Sequence, residues 1–345
     1  MARSALRNPE EVTSKAPTPS AISDTATVVL FDFDGTLGDT ETPAMIVAFW
    51  ELAPYFPEAS VAYLSEECMR TYVRNNAGKA FEFMVDVVEE DRKKAGLPSI
   101  EEVRAAGAED PAVLAHVNEQ RAKSGLPTLE ATRALGKDIL TLQKDETVEA
   151  LATLAVPCPN VPGVLANLES LGYDFSIATT SGKPRVPVSV VACRYEAYFP
   201  PEKIHSGESD FEPPRFKPDP SVYLLAAEKT GALPGNSVAV EDSTSGVGSA
   251  ANARMGLIVG YVGGSHISDE NEDGHAGTLM AGSRSDDGRG ADIVVRDMRD
   301  LVPVVEHFKS VCGSGTKETG PVKFPRALLD GLVDKYWVDE ARVAA

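Results

Sequence analysis

The stretch "VVLFDFDGTLGDTE" spans residues 28–41. Its first residues are β-branched, aliphatic or aromatic without polar alternation. That is the pattern of a parallel strand covered on both faces. The run ends in two carboxylates, Asp32 and Asp34, with one residue between them. A period of two puts both on roughly the same side of an extended chain. Gly35 then permits a sharp exit from the strand. Two like charges at the mouth of a buried strand repel one another where solvation is poor, so a compensating cation is expected there.

Working outward, the pattern turns helical after Thr40, with Pro43 in the first turn of "TPAMIVAFWELA". Helix-forming sequence continues to about residue 155, with apolar spacings at Phe81, Met84, Val85 and Val88 and at Leu135, Ile139 and Leu142. Glycines and prolines at 96, 98, 107, 111, 125 and 127 divide it into several helices. Beyond Pro157 strands and helices alternate: "VPGVLANLESLG" helix, "YDFSIATT" strand, "KIHSG" strand, "DPSVYLLAAEKTG" helix with Asp219 as N-cap, "SVAVED" strand, "STSGVGSAANARMG" helix and "LIVGYVG" strand. After an acidic, Gly-rich stretch (268–290), "DIVV" reads as a last short strand and "LVPVVEHFKS" as a helix. This alternation predicts an α/β fold, a doubly wound Rossmann-like parallel sheet with an inserted α-helical cap. The expected organisation is a disordered tail over 1–25, a core from 26–41 and 156–312, the cap over 42–155, and a linker with a C-terminal helical tail over 313–345. The tail helix would carry Leu328, Leu329, Leu332, Val333, Tyr336 and Trp337.

Composition narrows the function. The chain has 345 residues, 43% hydrophobic and 25% charged, with a formal net charge of −19. Such an excess of acid argues against a nucleic-acid or anionic-membrane surface, which demands local Lys/Arg excess. No apolar run approaches the roughly 18 residues of a membrane span. Cys68, Cys158, Cys193 and Cys312 show no CxxC spacing, which fits a reducing compartment rather than a disulfide framework or zinc site. A cytoplasmic location is expected. The Arg, Ser and Ala of the first residues would also suit a short organelle transit peptide, against which Glu10 and Glu11 count.

In open α/β sheets, ligands bind beyond the carboxyl ends of the strands. There the strands deliver Asp32 and Asp34, then Thr179, Thr180 and Ser181, then Glu241 and Asp242; Lys217 stands just before a helix. Hard oxygen ligands of this kind suit Mg²⁺, which keeps room for a phosphate oxygen. An anionic substrate is thereby compatible with a globally acidic chain.

The segments "DFDGTLGDTE", "SIATTS", "FKPDPSVY" and "VAVEDSTSGV" resemble, in order and context, the four motifs of the haloacid dehalogenase superfamily, in particular its sugar-phosphate phosphatase and β-phosphoglucomutase branch. The resemblance covers about residues 27–262. It implies that Asp32 is the nucleophile forming an aspartyl-phosphate and Asp34 the general acid, then base. Thr179 would hydrogen-bond the phosphoryl group, a role open also to Thr180 or Ser181. Lys217 would steady the nucleophile and the transferring charge. Asp242, supported by Glu241, with Asp32 and the backbone carbonyl of Asp34, would hold Mg²⁺. Within the cap, "RNNAGKAFEFM" resembles the segment that reaches the substrate, which makes Lys79, Asn76 and Gly78 specificity candidates; Lys183 and Arg185 could meet a phosphate. Gly38 replaces a bulky residue in the first motif, and the 268–290 stretch has no clear family counterpart. The implied activity is Mg²⁺-dependent hydrolysis of a small phosphorylated metabolite, a sugar or polyol phosphate. A phosphomutase shares all four motifs; a 2-haloacid dehalogenase and a non-catalytic binding module are the further alternatives. None of the five histidines is assigned a catalytic role.

Overall fold

A computed structural model describes residues 26–76, 80–183, 185–312 and 321–344. The chain opens with β1 (Val28–Phe31) and β2 (Gly38–Asp39). Seven helices follow: α1 (Glu41–Leu52), α2 (Glu66–Asn76), α3 (Phe81–Lys94), α4 (Ile100–Ala106), α5 (Pro111–Lys123), α6 (Leu129–Arg133) and α7 (Ile139–Leu154). The chain then runs through β3 (Val156–Pro157), α8 (Val161–Ser170), β4 (Asp174–Thr179), α9 (Arg185–Ala192), β5 (Ile204–Ser206), α10 (Ser221–Thr230), β6 (Ser237–Glu241), α11 (Thr244–Asn252), β7 (Leu257–Tyr261), α12 (Glu272–Met280), β8 (Ile293–Val295) and α13 (Leu301–Cys312). Last come β9 (Phe324–Pro325), α14 (Arg326–Leu329), β10 (Tyr336–Trp337) and β11 (Val343–Ala344).

Seven strands form one sheet in the order β10-β8-β7-β6-β1-β4-β5. All neighbours run parallel except β10, which is antiparallel to β8. β1 lies centrally, with Phe31 level with Ile177 on one side and Val240 on the other. Its alternate residues face opposite layers. Val29 and Phe31 pack with α8, α9 and α13; Val28 and Leu30 pack with α10, α11 and α12. A strand apolar on both faces is thus buried on both, which is why its sequence lacks alternation. The fold is the Rossmann-like α/β architecture.

The chain leaves the sheet through Asp39 and re-enters through Val156, and these two residues pair in an antiparallel ribbon, β2 with β3. The helices between them have their own apolar clusters, one around Met45, Tyr55, Phe81 and Met84 and another around Phe49, Trp50 and Val113. Of the predicted apolar spacings, Phe81, Met84, Val88, Ile139 and Leu142 are buried, whereas Leu135 is exposed.

These helices also bury a charged triad. Arg121 is fully buried and donates from Nη1 to Glu51 Oε2 at 3.0 Å and from Nη2 to Glu146 Oε1. Two carboxyls share one guanidinium, and burial, with Glu146 alongside, raises the Glu51 carboxyl to about 7. An acid whose folded pKa is raised favours the folded state when protonated. Its contribution is present at low pH and is lost as pH climbs from about 4.5 through about 7. Melting temperatures followed from pH 5 to pH 8 should therefore fall more steeply in the wild type than in Glu51→Gln. Parallel profiles would refute this.

Two features depart from the sequence reading. The helix expected to be capped by Asp219 has its first residue at Ser221 and Pro220 at the cap; Asp219, one position before that cap, still accepts at Oδ1 from the Ser221 N–H at 2.9 Å. The single amphipathic helix expected over the C-terminal tail does not form. Only Arg326–Leu329 is helical, and Tyr336–Trp337 becomes the edge strand β10. The main chain of β8 would otherwise present unpaired hydrogen-bonding groups, and β10 covers that edge. The acidic 268–290 stretch contains the crossover helix α12, which connects β7 to β8.

Candidate active site

The site lies at the carboxyl ends of β1, β4, β6 and β7. Asp32 follows β1 directly, its N–H bonded to Val240 O at 3.0 Å. Glu241 ends β6 and Asp242 follows it. Three carboxylate groups, Asp32, Glu241 and Asp242, bring oxygens within 4.8 Å of one another, and all three residues are buried. Lys217 joins two of them. Its Nζ donates to Asp32 Oδ1 at 2.5 Å and to Glu241 Oε1 at 2.5 Å. Tyr223 Oη also donates to Glu241 Oε1 at 2.8 Å, and Ser243 Oγ to its Oε2 at 3.2 Å.

Burial pushes the Asp32 carboxyl well above its ordinary range; Lys217 opposes that rise, and Glu241 and Asp242 add to it. Burial likewise raises Glu241 against the pull of Lys217. Counting Asp34, four acids face Lys217 and Arg185. The excess of negative charge, made of hard oxygen donors, fits a divalent cation of the Mg²⁺ kind. The backbone permits this close approach of the acids. Gly35 adopts φ +82°, and a Cβ there would stand 2.2 Å from Asp242 Oδ2, so only glycine lets the first turn approach the third carboxylate.

Asp34 is held apart from this trio. Its Oδ1 accepts from Thr40 Oγ1 at 2.5 Å and from Arg185 Nη2 at 3.0 Å, and its Oδ2 from Ser181 Oγ at 2.6 Å. Burial alone would raise its pKa. Arg185 and the two hydroxyls outweigh that and bring it below the ordinary carboxylate value, so the side chain is ionised in this arrangement. With its carboxylate occupied, what Asp34 can still offer a cation is the main-chain carbonyl.

The hydroxyls after β4 divide their work. Thr179 Oγ1 accepts from the Ser181 N–H at 3.1 Å, which shapes the turn, while Ser181 Oγ reaches Asp34. The Thr180 carbonyl accepts from the Glu208 N–H at 3.3 Å. Lys183 is drawn off to Asp210 at 2.8 Å and does not join the site. Asn76 closes α2, its amide donating to Tyr72 O at 2.9 Å. Lys79 and Gly78 lie outside the described residues.

Two residues at the site have roles that the sequence reading did not give them. The sequence offers Arg185 only as a phosphate contact; in the structure it binds the second aspartate. His266 was given no role, yet its Nε2 lies 3.1 Å from Asp242 Oδ2, and that bond lifts its pKa although burial opposes the charged form. His275 Nε2 meets the Asp242 carbonyl oxygen at 2.6 Å. The signal for His266 was its position in "GGSHIS", directly beyond the end of β7, on the same sheet edge as the acids.

A parallel sheet with clustered acids and one buried lysine at its carboxyl edge defines a Rossmann-like α/β enzyme. A family model described as haloacid dehalogenase-like hydrolase matches residues 26–254, and the chain belongs to that family. A haloacid dehalogenase-like hydrolase domain-containing protein of Arabidopsis thaliana is 44% identical over 55 residues, 16% of this chain and 17% of that protein. The match thus spans about a sixth of that relative's length. Among solved structures, a conserved haloacid dehalogenase-like protein from Agrobacterium tumefaciens shares 22% identity and a TM-score of 0.53 over 81% of this chain and 98% of that one. A HAD-family hydrolase from Deinococcus radiodurans shares 18% identity and a TM-score of 0.46 over 84% and 98%. The Agrobacterium likeness concerns the fold. Among the described residues, no helix is long and apolar enough to cross a membrane.

Proposed function

We propose that this enzyme is a phosphatase acting on a small phosphorylated metabolite, with sugar and polyol phosphates the first class to test, and that it works through an aspartyl-phosphate on Asp32. The observation that carries the reading is the trio of Asp32, Glu241 and Asp242 within 4.8 Å, with Lys217 bridging two of its members and Asp34 beside it.

In this reading an Asp32 oxygen attacks phosphorus and the bond from phosphorus to the ester oxygen breaks. The leaving oxygen takes a proton from Asp34. Asp34, now ionised, takes a proton from water as that water attacks phosphorus, the bond to Asp32 breaks and orthophosphate leaves. The first half requires Asp34 protonated, a form it regains from the attacking water at each turnover; Arg185 and Ser181 favour the ionised form that the second half requires. Lys217 orients Asp32 and offsets charge on the transferring group. Asp32, Asp242 and the Asp34 carbonyl would hold Mg²⁺, with Glu241 supporting through Lys217. The ion would supply charge neutralisation for the carboxylates and the phosphoryl oxygens.

Orthophosphate release from a panel of phosphorylated metabolites tests this. Release should need Mg²⁺, stop with EDTA and return when Mg²⁺ is restored in excess. Release that appears only with a bisphosphate activator would replace the phosphatase with a phosphomutase. Halide release from a 2-haloacid that persists in EDTA would replace it with a dehalogenase.

A further inference from the structure

Beside the acids a cleft of about 570 Å³ opens between α1, α2 and the loop that follows β7. It is within the range of pockets that hold organic ligands, roughly 300–1,000 Å³, and larger than orthophosphate needs. The cleft begins at the reacting centre: His266, which lines it, touches Asp242, and Glu41, which also lines it, feels the charge of Asp34.

Its two walls differ in chemistry. The wall from α1 and α2 carries Met45, Ile46, Met69 and Val73, interspersed with Thr42, Arg70 and Arg74. The core wall is the loop, with Ser265, His266, Ser268 and Asn271. Near the acids, Asp39 and Glu41 add acceptors.

The loop is built as a fixed surface. A Cβ at Gly263 would stand 2.1 Å from the Arg296 carbonyl oxygen, and one at Gly264 would stand 2.7 Å from that of Gly35, so its backbone presses on the ends of two neighbouring segments. His266 is tied to Asp242 at 3.1 Å. Ser265 Oγ meets Thr42 Oγ1 of α1 at 3.3 Å. The Asn271 N–H donates to the Ser268 carbonyl at 2.8 Å, and its amide to Ser268 Oγ at 3.0 Å.

Resting on the phosphatase reading, we infer that this loop of the core determines specificity, reading the alcohol portion of the phosphate ester against the mixed wall of α1 and α2, where Met45, Ile46, Met69 and Val73 stand beside Arg70 and Arg74. The ester class it takes carries hydrogen-bond donors close to the phosphate, for Asp39 and Glu41, and apolar surface beyond them. The loop belongs to the sheet rather than to the helical insertion, so it keeps its place relative to Asp32 whatever the insertion does.

The test compares p-nitrophenyl phosphate, whose leaving part is an aromatic phenol, with acetyl phosphate, an acyl phosphate whose leaving part is only acetate. Asn271→Trp and Ser268→Trp place bulk in the cleft from partly or fully exposed positions. In each variant the ratio of kcat/KM for p-nitrophenyl phosphate to that for acetyl phosphate should fall by about tenfold or more. A ratio within about twofold of wild type in both variants would overturn the inference. The ratio does not depend on how much of the enzyme is folded, so partial misfolding cannot imitate the result. Failure of the phosphatase reading looks different: wild type would release orthophosphate from neither compound.

Discussion

Asp32→Asn should abolish phosphate release, with a fall in kcat on the order of 10⁴-fold or more, because no other group in the proposed reaction can take the phosphoryl group. The same substitution should leave stability unchanged or raise it. Asp32 is buried with Glu241 and Asp242 close by, and burial together with those charges already disfavours its ionised form. A neutral amide of the same shape removes one of the mutually repelling carboxylates. Lys217 keeps Glu241 as an acceptor at 2.5 Å. The expected outcome is thus an inactive protein that melts at or above the wild-type temperature. Full activity in Asp32→Asn would sink the proposed chemistry. Inactivity joined to a large loss of stability would show that Asp32 serves the fold instead.

Lys217→Met should be lost on both counts. The ammonium is almost entirely enclosed, its side chain 3% exposed, and it is the bridge between Asp32 and Glu241. Removing one partner of a buried ion pair leaves uncompensated charge and costs about 3–5 kcal/mol. Activity should fall with it, since Asp32 would no longer be oriented or steadied. A double-mutant cycle separates the two effects. Adding Glu241→Gln removes one of the two orphaned charges; Tyr223 can donate to the amide oxygen and Ser243 Oγ can accept from the amide NH₂, so stability should recover in part in the double variant. Activity should not. Denaturant melts and phosphate-release assays on the four proteins decide it. A single Lys217→Met variant as stable as wild type would contradict the bridging role.

Much of the candidate site was legible because its parts are local. Asp32 and Asp34 were visible as acids ending an apolar run, and Gly35 as the exit from it. Glu241 and Asp242 were visible as acids ending "SVAV", and Lys217 as a lysine poised before a helix start. Each needs only a strand end and the rule that such ends gather on one edge of the sheet. The boundaries of β4, β6 and β7 follow from the same short-range pattern. Arg185 was harder. Its distance from Asp34 in sequence is 151 residues, and nothing in "SGKPR" distinguishes the cation that turns to Asp34 from Lys183, which turns to Asp210. The tail was misread because apolar residues at helical spacing also suit short pieces laid over a core. Leu328, Leu332 and Tyr336 pack on one side of the sheet and Trp337 on the other, which no single helix could satisfy.

By itself the sequence determined the parallel-sheet class, the burial of β1 on both faces and the identity of the acids and the lysine at the sheet edge. These depend on periodicity, turn residues and strand ends, all of which act over a few residues. Only the tertiary structure decided that Arg185 and Ser181 hold Asp34, that His266 and His275 flank Asp242, that Arg121 is enclosed between Glu51 and Glu146, and that Tyr336–Trp337 completes the sheet. Each of those outcomes is a choice of partner across a long stretch of chain, made by which charges burial forces together and which strand edge is left uncovered.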